Sequence, residues 1–569
     1  MRKILTLLAI PFRLFPYIFY KLLTYKRNPE FLFFKIPSVF ENSKKSPLLE
    51  LFSGGNQQDF LSFLQFLNKL LEIKSLRIVA FTVDEIQFGF SELYEISEIL
   101  NKLKENGVRL KGFSPYGDLK TLYLLSQADE RFCIESSEFQ FVLPSAEPFF
   151  FGKFLKDWGI EVESYQSGKF KSFAEPFKNE KFSKEARQNL SELIVSLRNR
   201  ILSGMHGSEK WKWEDIHSPI LHADEMKEGG FFHDFSDESE FEKYFMYDKL
   251  EEKSGQFKKS KIYKLATISK YLKRTKYSLL PVRKSRITIL PLKGNIVMGK
   301  KSEQERNEGS ISAYSTLNLL AELKKEDDRK IIILEIDSGG GSAFASELIY
   351  RELKNIGKDK KIYAYFQNIS ASGGYYISCA AGKIFSNPFC ITGSIGTIMI
   401  RPNLRGLYEK FGIKKERIEF YPLRDILSEY GKISPQSKAF LQSEIERNKM
   451  QFYKRVMDNR KIDIQDLEKS AGGRVFLAEK FEEMGMLDGT GSFYTFLNSI
   501  LKENDIDSYR IDYLMPVYTL RSMLKNWNSV LGYLKNPSSF FNESLSFLNT
   551  DYRVNLPVDL ITYWRGRSN

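Results

Sequence analysis

Ser372 stands in the run Ser370-Ala371-Ser372-Gly373-Gly374-Tyr375-Tyr376, directly after the apolar stretch KIYAYFQN. A serine at the turn from a strand into a helix is exposed, and the helix N-terminus behind it favours developing negative charge. Those are a nucleophile's requirements, although the pattern is not GxSxG. A second turn, Ser338-Gly339-Gly340-Gly341-Ser342, follows the apolar run KIIILEID. Glycines let backbone N–H groups approach a ligand closely. The two turns together could therefore hold an oxyanion, a role in which each donor is worth about 2.7–4 kcal/mol. Taken singly, either turn reads equally well as a helix cap. Two of them at equivalent strand ends favour a site.

A serine needs a base. The four histidines, His206, His217, His222 and His233, lie together in a polar, acidic stretch and read as surface residues. Their spacing fits no common zinc pattern. A lysine can serve only if burial lowers its pKa towards neutrality. Lys171 sits among Phe170, Phe173, Pro176 and Phe177, which could supply that environment. The same residues also read as an ordinary lysine on an aromatic-rich surface loop.

The elements that must position these residues come as an internal repeat. SLRIVAFTVD (75–84) resembles DRKIIILEID (328–337), and FLKDWGIEVE (154–163) resembles LYEKFGIKKE (407–416). Asp84 and Asp337, Phe113 and Phe366, and Gly159 and Gly412 are each 253 residues apart. Each unit reads strand–helix–strand–helix–strand. The strands are near-continuous apolar runs, as expected of parallel strands covered on both faces. The fold class is therefore α/β, two tandem units with mostly parallel sheets. The first unit spans 29–275, the Lys-rich stretch 251–285 reads as a linker, and the second unit spans 276–498. Residues 499–569 read as an amphipathic C-terminal tail.

Residues 1–28 read as a membrane anchor, spanning or lying in the interface with Arg13 reaching outwards. No small-residue cleavage site follows the apolar run. The net charge of +13 comes from charges of both signs spread along the chain, so nucleic acid is not an expected partner. Cys133, Cys379 and Cys390 form no CxxC pair, and neither a disulfide framework nor a thiolate metal site is indicated. No cofactor or metal is expected.

On the A-S-G-G-Y run, the segment Gly168–Phe177, Thr392-Gly393-Ser394-Ile395-Gly396 and GRVFLAEKFEEMGMLDG (473–489), the chain resembles the signal peptide peptidase A family in its long, tandem-repeat form. The resemblance implies a ClpP/crotonase-like fold and a serine–lysine peptidase. In it Ser372 is the nucleophile, Lys171 the base, and Ser394 orients the amine. Gly373 and Gly340 carry the oxyanion donors, with Gly341 beside them. Where the family turn has S-P-G-G-S this chain has SGGGS, Gly339 replacing proline. The resemblance further implies apolar peptide substrates such as released signal peptides and a homotetramer. It also implies a place at the bacterial inner membrane with the catalytic part on the periplasmic side. At the repeat offset Ser372 faces Leu119, Gly373 faces Lys120, and Lys171 faces Arg424, so each unit keeps one member of the dyad. A crotonase-type acyl-CoA enzyme and a catalytically inactive membrane scaffold are the competing expectations.

Overall fold

The computed structural model describes residues 30–40, 60–246, 263–264, 284–299, 309–416 and 422–514, with positions 14, 18 and 19. Strand Ile331–Ser338 is buried at all eight positions and Ile78–Val83 at all six. A strand of this kind has no solvent face and must lie inside a sheet covered on both sides. Ile78–Val83 is accordingly flanked by Phe31–Ile36 and Arg109–Phe113, and Ile331–Ser338 by Ser285–Lys293 and Lys361–Ala371, all parallel. Helices Phe90–Glu105 and Ala343–Ile356 follow the two central strands and bury their apolar faces. The architecture is mixed α/β with mostly parallel sheets.

The first sheet continues through Glu130–Cys133 on one side and Tyr263–Lys264 on the other. The second continues through Lys383–Ser386 and Ile391–Gly393 on the corresponding side and Tyr509–Tyr513 on the other. The same order of strands thus recurs in both halves. One departure is the antiparallel edge strand Val475–Leu477, paired with Ile391–Gly393.

The second half does not close at 498. Helix Phe493–Glu503 runs through that point and buries Phe493, Tyr494, Phe496, Leu497 and Ile500. Strand Tyr509–Tyr513 then pairs with Ser285–Lys293. Of the residues expected in the tail, Ile500 is buried and Tyr509 and Tyr513 pack partly buried against the core, as far as the described chain goes. Two residues of the expected linker, Tyr263 and Lys264, pair with Leu32 and Phe33 in the first sheet. The anchor expected over 1–28 and the tail beyond 514 lie outside the described residues. Among the described residues no helix is long and apolar enough to cross a membrane.

The halves are joined at several places, among them a two-stranded ribbon and a helix. Strand Glu161–Gln166 pairs antiparallel with Ile398–Asn403, locked by the buried Arg401, whose guanidinium lies 3.0 Å from Glu163. Helix Phe90–Glu105 also leans on the second half: Phe90 stacks on Phe389 at 5.5 Å, and Ser91 Oγ donates to the Gln367 carbonyl at 2.9 Å. One hydrophobic cluster consequently runs through both halves.

Candidate active site

Ser372 ends strand Lys361–Ala371 and opens helix Gly373–Ser378. Its backbone is turned to φ +53, ψ −117, a region a residue with a side chain enters only when its surroundings hold it there. Two backbone bonds do so: Ser372 N–H donates to the Gly393 carbonyl at 2.9 Å, and the Ser372 carbonyl accepts from Tyr376 N–H at 2.9 Å. The result is a half-buried hydroxyl at the carboxyl end of the sheet.

Lys171 comes from the other half, five residues beyond the end of strand Glu161–Gln166. The inter-half ribbon therefore delivers the lysine to one side of Ser394, which precedes the partner strand Ile398–Asn403. Lys171 Nζ lies 2.6 Å from the Ser394 carbonyl, 2.8 Å from Ser394 Oγ and 3.3 Å from Ser372 Oγ. The side chain is 6% exposed, and burial pushes its amine down to about 7. A neutral amine has two N–H donors and one lone pair. In that form Ser394 can take both donors and leave the lone pair to the Ser372 hydroxyl. Ser394 itself is held at φ +52 by its N–H, which donates to the Arg474 carbonyl at 2.6 Å.

The glycine turn Ser338–Ser342 lies against Ser372. A Cβ on Gly340, whose φ is +104, would come within 2.7 Å of Gly373 N and 2.8 Å of Ser372 Cβ. Gly340 is not, however, the free donor expected of it: its N–H is committed to Ser338 Oγ at 3.1 Å. The neighbouring bridge between Gly341 and Ile296 uses the Gly340 carbonyl and the Ser342 N–H, at 2.9 Å each. In a parallel bridge the middle residue turns its own N–H away. Gly341 N–H thus has no acceptor among the described residues, and neither has Gly373 N–H at the first turn of its helix. These two can receive negative charge.

In the first half the corresponding position is closed. Leu119 replaces the serine, and the N–H groups of Lys120 and Thr121 both donate to Asp118 Oδ1 at 3.0 Å. An aspartate cap fills the place where the second half leaves a donor open. The four histidines are all exposed and none contacts Ser372. No cluster of metal-ligating side chains occurs among the described residues. Sequence reasoning overlooked Ser167, whose hydroxyl accepts from Thr397 N–H at 2.7 Å, and Arg474, which lies 3.9 Å over the Phe170 ring. Arg474 was visible within the GRVF motif, but nothing in the sequence said which residue it faced.

The site is thus a serine and a buried lysine with a lowered pKa, brought together across two α/β halves, a constellation suited to acyl transfer. The sequence comparisons name the lineage. Peptidase family S49 matches residues 354–507. The chain is 35% identical over 186 residues to a protein of Synechocystis named as a protease, covering 32% of this chain and 67% of that one. It is 27% identical over 417 residues to the chloroplastic serine protease SPPA of Arabidopsis thaliana, covering 72% of this chain and 60% of the relative. With Protease 4 of Haemophilus influenzae the identity is 25% over 393 residues, 66% of this chain and 62% of that one. The chain belongs to peptidase family S49, and it spans about three fifths of the length of its plant relative.

Proposed function

We propose that this chain is a serine endopeptidase working through a Ser372–Lys171 dyad on a ClpP/crotonase-like scaffold. The observation that carries the proposal is the buried amine, pushed down to about 7, with Ser394 on two of its sites and Ser372 Oγ at 3.3 Å on the third. The lone pair of Lys171 takes the Ser372 proton as Oγ attacks a peptide carbonyl. Charge on the former carbonyl oxygen falls to the N–H groups of Gly373 and Gly341. The protonated lysine gives its proton to the leaving amine, and the acyl group stays on Ser372 as an ester. Lys171 then deprotonates a water, which attacks the ester. Protonated Lys171 returns its proton to Ser372 Oγ as the acid leaves.

Apolar peptides are the substrate class and a membrane surface the setting. Phe149, Phe154 and Phe411 are 69%, 58% and 65% exposed on the segments beside the inter-half ribbon, which favours apolar neighbours. A second copy of the chain is the expected partner, in a closed homotetramer. By the repeat, residues 145–150 are the counterpart of the ribbon strand Ile398–Asn403, yet they form no strand and have no ladder partner among the described residues. An unpaired segment of this kind offers its backbone to a neighbouring chain. We place the enzyme at the bacterial inner membrane, with its catalytic part on the periplasmic side. Labelling with a fluorophosphonate serine probe tests the dyad. Wild type should label promptly, and Ser372→Ala and Lys171→Ala should not. Labelling that survives Lys171→Ala would overturn the assignment of the base.

A further inference from the structure

The loop 471–475 touches the Lys171 segment and Ser394 at once. The Gly472 carbonyl accepts from Phe170 N–H at 3.2 Å, and the Arg474 carbonyl accepts from Ser394 N–H at 2.6 Å. Gly473 lies flat against Lys171, where a Cβ would come within 2.7 Å of the Lys171 backbone nitrogen. Val475, the residue after Arg474, begins the edge strand of the second sheet. An open edge leaves backbone groups unpaired. Here the edge is met by Asn189, a side chain only 6% exposed on helix Lys184–Ser203 of the first half. Its Oδ1 accepts from Val475 N–H at 3.0 Å, and its Nδ2 donates to the Val475 carbonyl at 2.8 Å. One side-chain amide does for Val475 what a neighbouring strand would do.

We infer that Asn189 is a positioning residue for the lysine amine: by pinning Val475 it fixes the Arg474 carbonyl, and through it Ser394, whose two oxygens decide where the lone pair of Lys171 points. The inference rests on the dyad reading above. The amide touches none of the reacting atoms. Its influence runs through two backbone groups to a hydroxyl and a carbonyl that together hold both N–H donors of the base. If the edge strand slackens, Ser394 retreats, the lone pair loses its direction and water reaches the amine. The charged groups on the surrounding segments face elsewhere: Glu175 accepts from the N–H and Oγ of Ser183, and Arg474 stacks on Phe170 with Glu192 4.0 Å away.

The test is the second-order rate of fluorophosphonate labelling of Ser372 in the full chain, from about pH 6 to 10. The variants are Asn189→Leu, which keeps the branching and heavy-atom count without either hydrogen bond, and Asn189→Ala. Both should label about tenfold or more slowly near pH 7, with the rising limb moved upwards and most of the rate recovered at high pH. A limb that stays in place in Asn189→Leu, with a loss equal at every pH, would show that the side chain only packs and would overturn the inference. Should Asn189→Ala fail to assemble, Asn189→Leu decides alone. Lys171→Ala is run in parallel. Unimpaired labelling in that variant removes the dyad itself, and the role of Asn189 with it. Abolished labelling beside an unmoved limb in Asn189→Leu removes the role of Asn189 and leaves the dyad standing.

Discussion

Lys171 Nζ stands 3.3 Å from Ser372 Oγ although 201 residues separate the two along the chain. Neither half can make this contact alone, because the lysine lies beyond one strand of the inter-half ribbon and the serine within the other half's sheet. The ribbon therefore positions the proposed dyad as much as it joins the fold. Its tight point is Ser394, which contributes two of the three oxygens around the amine.

Replacing Ser394 with alanine removes the hydroxyl and leaves the carbonyl. One N–H of the amine then has no protein acceptor, and the lone pair can swing away from Ser372. We expect kcat to fall by about 10- to 100-fold, with KM nearly unchanged, because the lost contact orients the base and does not hold substrate. Steady-state kinetics on a soluble amide substrate separate the two parameters. A rise in KM at constant kcat would move Ser394 from the base to the binding surface.

Gly340 tests the oxyanion side. An added Cβ would intrude to 2.7 Å on Gly373 N, at a backbone of φ +104 that disfavours any side chain. Gly340→Ala should therefore lower the probe-labelling rate by about 100-fold or more, as loss of an oxyanion donor does elsewhere. At Gly299 an added Cβ meets nothing within 4 Å, so Gly299→Ala should label at the wild-type rate. Equal rates in the two variants would remove the glycine turn from the site.

The strands that carry the site were legible from their unbroken apolar runs, and Ser372, Lys171 and Ser394 from motifs of fixed residue type. What escaped was whatever depends on direction rather than on type. Both Gly340 and Gly341 could be seen as flexible, but only the bond from Gly340 N–H to Ser338 Oγ shows which of the two is already spent. Asn189 is an unremarked polar residue on an amphipathic helix until Val475 is found beside it, 286 residues away. The end of the second half was misplaced because the aromatic-rich, helix-prone run after 498 reads equally as an amphipathic tail and as the continuation of helix Phe493–Glu503, which buries Ile500. Periodicity does not say what a face packs against.

Glu95 sits at another join between the halves. Burial pushes its carboxyl up to about 7, while Phe493 N–H donates to it at 2.8 Å and its Oε1 lies 2.5 Å from Tyr365 Oη. The Tyr365 hydroxyl also reaches the Gly491 carbonyl at 2.9 Å, so a protonated Glu95 can donate to Tyr365 while Tyr365 donates to Gly491. A carboxyl whose folded pKa lies above its unfolded value binds more protons when folded. Stability should then decline as pH rises from about 4.5 to 7. Glu95→Gln can make the same bonds without ionising, and its denaturant midpoint should stay flat across that window. Glu95→Ala leaves the Phe493 N–H without its acceptor and should lose about 2–4 kcal/mol. Midpoints measured at pH 5 and pH 8 check both expectations. An unchanged slope in Glu95→Gln would assign the pH dependence to another group.

Lys171 should set activity and stability in the same pH window. The base acts in its neutral form, so kcat/KM should rise as pH passes about 7, where burial has placed the amine. The stability effect follows from the proton count. With a folded pKa of about 7 against an ordinary lysine value of 10.5, the folded chain holds fewer protons than the unfolded chain between those limits. The fold is therefore penalised most below pH 7 and regains stability as pH climbs towards 10.5, a span on the order of a few kcal/mol. Lys171→Met fills similar space without a charge to desolvate. It should be inactive and melt at a higher temperature than wild type near pH 7, with the advantage shrinking towards pH 10. Tm measured against pH for the two proteins, beside the pH profile of kcat/KM, tests the two halves of the argument together. A constant difference in Tm at every pH would mean that the buried amine does not titrate in this range, and the dyad would need another source for its neutral base.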